Sequence, residues 1–385
     1  MKSKIKKIII FLMSVYKIKN IIFFESNADY SDNTRAFYEY LIKQKYNEKY
    51  KMYWLVNDGK KFKDRECKNV KFITMWHNTT KRTFFQWIKY FWLVKNARYL
   101  ISSNRALLKL NKKTTTIYLN HGTPLKSIKD RKIIPKDIDI ALAGSDFCIE
   151  LFSEQTGVAK NKFICVGSPR DDVIFSKTNI QEKMCKFKDY NKIILWLPTF
   201  RKSANTARND SKFDFPLGLP IIYSEKNLKE VNEYLKKKNI LILFKLHPAQ
   251  DTSVFKANSL SNIVILDDSY LIEKNVELCE LFKITSAMIT DYSSIYYDYL
   301  QTDKIVGFTV DDFEEYKEKK GFAFDDPLKY MAGEKIKNIT DLYKFIDIVD
   351  NNIDKHKKQR EKMKKTFNKY SDNKSSKRLA EKLKL

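Results

Sequence analysis

A chain of 385 residues with 43% hydrophobic and 14% aromatic side chains is long enough for two domains with their own cores, which excludes a wholly disordered protein. Its 73 Lys and Arg against 47 Asp and Glu give a net charge of +26, which favours anionic partners such as phosphorylated substrates, acidic lipid or nucleic acid. Five cysteines (Cys67, Cys148, Cys165, Cys185, Cys279) lie scattered without C-x-x-C spacing, which argues against a zinc site and for reduced thiols in a cytoplasmic setting.

In chain order, Met1 to Lys7 is basic and Ile8 to Tyr16 is apolar, the outline of a signal peptide. No small-residue cleavage site follows, and the stretch is too short to cross a bilayer. A basic helix lying on the membrane surface is expected instead, with neither signal nor span. Ile21-Ile22-Phe23-Phe24 reads as a first strand ending at Glu25-Ser26. A polar loop over Tyr30 to Asn33 and a helical pattern over Thr34 to Lys45 come next. Strand-like runs follow at Met52 to Val56, Val70 to Thr74, Arg98 to Ser102, Thr115 to Leu119, Ile140 to Ala143 and Phe163 to Val166. With helical patterns between several of them, they predict β-α-β units in a parallel sheet.

Phe84 to Leu100 sets Phe84, Phe85, Trp87, Tyr90, Phe91 and Trp92 among basic residues. It reads either as a membrane-contacting surface or as an amphipathic helix facing the core. The polar stretch Ser176 to Asn191 is expected to connect two domains, residues 1–180 and 181–385. A second alternating set begins there: Lys192 to Leu197, Ile240 to Leu246, Ile263 to Leu266, Ala287 to Thr290 and Ile305 to Phe308. The basic C-terminus, Lys355 to Leu385, is helical in composition and reads as a solvated helix or one drawn to acidic lipid or polymer.

Three strands of the second half end in similar clusters. Ile193 to Leu197 runs into Pro198-Thr199-Phe200-Arg201, and Ile240 to Phe244 into Lys245-Leu246-His247-Pro248. Ala287 to Thr290 runs into Asp291-Tyr292-Ser293-Ser294, where a helix begins. A helix start attracts phosphate through unpaired N–H groups and its dipole. Asp298, one turn further on, would repel phosphate and is expected to hold hydroxyls of a ribose or polyol. The plainer reading makes Ser293 and Ser294 a cap and Asp298 a solvated charge. Ligands of open parallel sheets bind beyond the carboxyl ends of strands. Thr199, Arg201, Lys245, His247, Ser293, Ser294 and Asp298 on one such edge would match a diphosphate bearing hydroxyls.

In the first half, Thr116 to Leu119 leads into Asn120-His121-Gly122-Thr123-Pro124-Leu125-Lys126. Gly122 permits a tight turn, and His121 falls at the strand end, as a structural or a functional histidine. Phe163 to Val166 leads into Gly167-Ser168-Pro169-Arg170-Asp171-Asp172, again a turn with a cation. The expected fold class is α/β, with two Rossmann-like domains facing across a cleft in the B-type glycosyltransferase (GT-B) manner.

These motifs, in this order, resemble the CDP-glycerol glycerophosphotransferases that build teichoic acids and related capsule polymers. The resemblance runs from Phe23-Phe24-Glu25-Ser26 to the end of the chain. It also takes in Leu197-Pro198-Thr199-Phe200-Arg201, Lys245-Leu246-His247-Pro248 and Thr290 to Asp298. It implies transfer of a polyol phosphate from CDP-glycerol, or CDP-ribitol, to a hydroxyl of a lipid-linked acceptor, at the inner face of the cytoplasmic membrane. It further implies His121 as the base. The donor- and substrate-binding positions would be Asn120, Gly122, Thr123, Arg170, Pro198, Thr199, Arg201, Lys245, Leu246, His247, Ser293, Ser294 and Asp298. Two positions depart from the pattern: Asn120 stands where Trp is common, and Asp372-Asn373-Lys374 replaces a usual Asp-Gly. No dedicated metal cage is expected, although a diphosphate leaves room for a loosely held Mg²⁺. A nucleotide-sugar transferase of the same architecture is the nearest rival. A nucleic-acid binder is disfavoured, because no RNA- or DNA-binding module is recognised and the polar residues gather at strand ends.

Overall fold

Strand after strand in both halves is apolar on both faces, as a parallel sheet covered by helices on each side requires. The structure, a computed structural model, describes residues 18–74, 84–104, 107, 109–129, 134, 138–199, 215, 217–246, 260–266 and 268–385. The chain divides into two compact units. One takes Met1–His121, Arg131–Asp172 and Lys374–Leu385; the other takes Gly122–Asp130 and Val173–Asn373.

The first unit holds seven strands: β1 Ile21–Glu25, β2 Lys51–Val56, β3 Val70–Thr74, β4 Tyr99–Ser102, β5 Thr115–Tyr118, β6 Ile140–Leu142 and β7 Phe163–Ile164. Their order is β3-β2-β1-β4-β5-β6-β7, with every neighbour parallel. Along β1 the side chains alternate between two cores. Ile22 and Phe24 join Trp54, Ile101 and the Phe37, Tyr38 and Leu41 face of helix α1, Asp32–Lys43. Ile21 and Phe23 point the other way, onto Leu93 and Val94 of helix α2, Phe84–Asn96. Thus the last turns of the aromatic, basic helix face the core, which favours the core-facing reading for its described side chains. A third helix of this unit, α3 Asp146–Thr156, is capped by Ser145 and closed by Gly157 at φ +69.

The second unit holds β8 Lys192–Leu197, β9 Ile240–Phe244, β10 Ile263–Ile265, β11 Ala287–Thr290, β12 Ile305–Thr309 and β13 Glu334–Ile336. Their order is β10-β9-β8-β11-β12-β13, again all parallel. Helices α4 Glu225–Lys238, α5 Ile295–Tyr299, α6 Phe313–Lys319, α7 Ile339–Asp350 and α8 Lys357–Phe367 belong to it. One face of the sheet, with Ile194, Trp196, Ile242 and Phe244, packs on Leu228, Val231 and Leu235 of α4 and Leu342, Phe345 and Ile346 of α7. Both sheets start centrally, grow one way and then restart beside the first strand. Their topological switch points therefore fall between β1 and β4, and between β8 and β11.

Three expectations need correction. The stretch Ser176 to Asn191 is no bare connection, since it buries Ile180, Met184 and Phe187 in the second unit, whose boundary falls after Asp172. There Lys283 Nζ donates to the Ser176 carbonyl at 2.6 Å and to Thr178 Oγ1 at 2.7 Å. The basic C-terminus is two helices, α8 and α9 (Ser375–Lys382), and each buries an apolar stripe. Finally, α9 leaves the second half and packs on the first unit, where Leu379, Ala380 and Leu383 complete the core beneath α1. Asp172 anchors it by accepting from the backbone N–H groups of Ser375 and Ser376 at 2.8 and 2.9 Å. Gly167 lets the β7 loop approach, since a Cβ there would lie 2.3 Å from Ser375 Oγ.

Truncating this contact should weaken the first unit. Leu379→Ala, at a fully buried position, is expected to cost about 2–5 kcal/mol. Urea unfolding followed by tryptophan fluorescence measures it, and an unchanged midpoint would show that α9 contributes nothing to that core. Among the described residues, no helix is long and apolar enough to cross a membrane.

Candidate active site

Those predicted residues that are described fall into two groups, one at the carboxyl edge of each sheet. In the first unit, β5 ends at Tyr118 and the chain turns at Asn120, which takes φ +65, a value asparagine tolerates better than most residues. Its Oδ1 accepts the His121 N–H at 2.7 Å, so Asn120 shapes the turn that presents the histidine. Gly122 follows at φ +130, which favours glycine. The His121 side chain is exposed, and its Nδ1 lies 3.4 Å from both the Tyr118 hydroxyl and the Ser103 carbonyl. Burial, then the charges of Asp32 and Glu25, push the Tyr118 hydroxyl far up, which keeps it protonated. The Ser103 carbonyl can only accept; a proton on Nδ1 directed to it would leave Nε2 as the proton acceptor.

Asn33, in the first turn of α1 and 3% exposed, ties this edge together. Its Nδ2 donates to the carbonyls of Leu119 and Asn120 at 3.2 and 2.9 Å. Its Oδ1 accepts from Ser168 Oγ at 2.9 Å and from the Arg170 N–H at 3.0 Å. One amide thereby fixes both the His121 turn and the Gly167-to-Asp172 turn. Arg170 adds a second tie: Nη1 donates to Asp32 Oδ1 at 2.7 Å and to the His121 carbonyl at 3.1 Å. The sequence marks Asp32 and Asn33 only as part of a polar loop. Two short polar residues after a strand and at the start of a helix were the signal available.

In the second unit the switch point between β8 and β11 gathers Pro198, Thr199 and the stretch from Asp291 to Ser294. Asp291, fully buried, accepts from the Thr199 N–H through Oδ2 at 2.8 Å and from the Thr199 hydroxyl through Oδ1. Thr290 Oγ1 donates to the Leu197 carbonyl at 2.8 Å, closing the two strand ends against each other. Ser293 and Ser294 are half-buried and precede α5, with Ser294 as N-cap and no side-chain cap bond. Lys245, half-buried, follows β9 and reaches the Leu246 carbonyl at 3.3 Å. Leu246 itself is buried. Asp298 is 6% exposed, more enclosed than a solvated charge. Arg201 and His247 lie outside the described residues.

The segment Gly122–Asp130 also belongs to this unit. Thr123, Pro124 and Leu125 are buried, and Lys126 forms an antiparallel bridge with Phe322. Lys126 Nζ lies 3.3 Å from Thr199 Oγ1. Asp291 and Lys126 lie within strand-end motifs that give them no role by themselves; their position at a switch point is what singles them out. Among the described residues, no group of three or more His, Cys, Asp or Glu is arranged to hold a metal ion.

Arranged this way, the second edge can bind phosphate and hydroxyl groups, and the first presents an exposed imidazole on a fixed turn. The family model for CDP-glycerol:poly(glycerophosphate) glycerophosphotransferase matches residues 8–385. A teichoic acid poly(glycerol phosphate) polymerase of Bacillus spizizenii is 26% identical over 336 residues, covering 80% of this chain and 78% of its own. A teichoic acid glycerol-phosphate transferase of Staphylococcus aureus is 24% identical over 398 residues, covering 96% of this chain and 94% of its own. The solved structure of the wall teichoic acid polymerase TagF shares the fold, with a TM-score of 0.70, 20% identity and coverage of 98% of this chain and 92% of that one. The chain belongs to the CDP-glycerol:poly(glycerophosphate) glycerophosphotransferase family, and it is an enzyme of glycerophosphate transfer.

Proposed function

We propose that this enzyme transfers glycerol phosphate from CDP-glycerol to a hydroxyl of a lipid-linked poly(glycerol phosphate) or glycan acceptor, in teichoic acid or capsule polymer synthesis. A GT-B arrangement of the two Rossmann-like units is part of that reading, with the C-terminal one binding the donor. The observation that carries it is the second switch point, where buried Asp291 fixes Thr199 beside the Ser293-Ser294 turn. Such an edge offers hydroxyl and N–H donors with Lys245 nearby, which is the chemistry a diphosphate needs.

In the reaction, the acceptor oxygen attacks the phosphorus that bears glycerol. The new O–P bond forms as the bond to the bridging diphosphate oxygen breaks, and CMP leaves with that oxygen. The acceptor proton passes to Nε2 of His121. Phosphoryl transfer rests chiefly on positioning and on neutralising oxygens that gain charge, the task assigned to Lys245 and the Ser293-Ser294 turn. Arg170, a donor-binding position in this reading, also holds the His121 turn through its bonds to Asp32 and the His121 carbonyl.

Ser294→Ala and Asp298→Ala are expected to weaken CDP-glycerol binding without unfolding the protein. Calorimetric affinities equal to wild type for both would remove these residues from the donor site. The same titration with CDP-ribitol and with nucleotide sugars separates glycerol, ribitol and glycosyl donors. The enzyme is further assigned to the inner face of the cytoplasmic membrane without a span, on the basic Met1 to Lys19 stretch and the charge of +26. High salt or carbonate should release it from membranes at least in part, because screening weakens attraction to acidic lipid. Retention through alkaline extraction would indicate insertion instead.

A further inference from the structure

We propose that Lys126 is a ligand of the donor diphosphate, contributed by the segment that starts directly after His121. This inference rests on the functional reading above and adds to it a cation that the reading does not use. Two hydrogen bonds flank the bridge between Lys126 and Phe322: Ala323 N–H to the Leu125 carbonyl at 2.9 Å, and Ser127 N–H to the Gly321 carbonyl at 3.1 Å. Leu125 is 1% exposed, and the Phe322 ring packs edge-on against Tyr292 at 5.2 Å. Tyr292 directly follows Asp291 and donates its hydroxyl to Asp312 at 2.9 Å. The main chain at Lys126 is therefore fixed to the same framework that fixes the β11 turn.

From that anchor the half-buried side chain brings its ammonium to 3.3 Å from Thr199 Oγ1, at the carboxyl end of β8. The Thr199 hydroxyl donates its proton to Asp291, so toward Lys126 its oxygen is the acceptor. A lysine presents three N–H donors on a compact charge, which suits phosphate oxygens as well as a hydroxyl. It stands at the switch point where ligands of doubly wound sheets bind. Because the chain passes from the first unit to the second between His121 and Gly122, base and phosphate ligand are five residues apart on one strap.

The competing role is purely structural, with Lys126 compensating the charge of Asp291 and holding Thr199 in place. Calorimetric titration of cytidine, CMP and CDP-glycerol into the full-length wild type, Lys126→Gln and Lys126→Arg separates the two. Lys126→Gln is expected to lose about 10- to 100-fold in CDP-glycerol affinity, the scale of one charge-assisted hydrogen bond. It should lose less for CMP and nothing for cytidine, and Lys126→Arg should keep most of the affinity. Equal losses for all three ligands, or no loss for any, would overturn the proposal. A melting temperature for each variant identifies a folding defect, in which case the ratio of CDP-glycerol to cytidine affinity decides, because a partly unfolded population lowers both affinities alike. A wild type that binds no CDP compound would overturn the functional reading and this inference with it.

Discussion

His121→Ala is expected to lower turnover by roughly two to four orders of magnitude, the usual range for losing a general base. Donor affinity should stay nearly intact, because the imidazole sits in the first unit and acts on the acceptor proton. The side chain is exposed at the end of β5, held by a turn that Asn120 and Asn33 define, so its loss should leave the fold unharmed. Single-turnover rates with CDP-glycerol, beside calorimetric affinities, give the comparison. A variant with near-normal single-turnover rates would make His121 part of the scaffold.

Asn33→Ala should have the second largest effect. It removes the partner of two carbonyls, one hydroxyl and one N–H on a buried edge. Leaving a buried polar group unsatisfied costs about 1–3 kcal/mol, so this substitution should lower stability by at least that much. The consequence for function is more specific. With the Leu119-Asn120 carbonyls released, the His121 turn loses its tie to α1, and misplacing a reacting group by about 1 Å can cost about 100-fold in rate. Turnover should therefore fall while CDP-glycerol affinity, read in the second unit, stays close to wild type. Asn33→Asp keeps the acceptor oxygen for Ser168 and Arg170 but sets a carboxylate against the two carbonyls. It should retain the Arg170 turn and still lose rate. If both variants turn over normally at a temperature where they are folded, Asn33 has no positioning role.

The two sheets were legible because β1 to β12 are short apolar runs separated by helical patterns, and each predicted run became a strand. β13 was missed because Glu334-Lys335-Ile336 carries no apolar run. It is an edge strand that follows Gly333, where a Cβ would meet the Val306 carbonyl at 2.3 Å. The fate of the C-terminus was hidden for a different reason. Leu379 and Leu383 mark an apolar stripe, but nothing in that stripe says which sheet it covers; tertiary contacts with Asp172 and Tyr99 decide it. The site behaved similarly. Strand-end motifs drew attention to His121, Thr199 and Ser293-Ser294. The residues that hold them, Asn33 and Asp291, act through buried hydrogen bonds that span 86 and 92 positions of sequence and leave no local signature.

The measurement that bears most directly on the account is a product analysis. The purified enzyme is incubated with CDP-glycerol and a lipid-linked glycerol-phosphate acceptor, and both products are identified by mass spectrometry. The account predicts an acceptor heavier by one or more glycerol-phosphate units, with one CMP released per unit. Release of CDP with glycerol alone transferred, or an acceptor left unchanged while a nucleotide sugar is consumed in a parallel reaction, would contradict it.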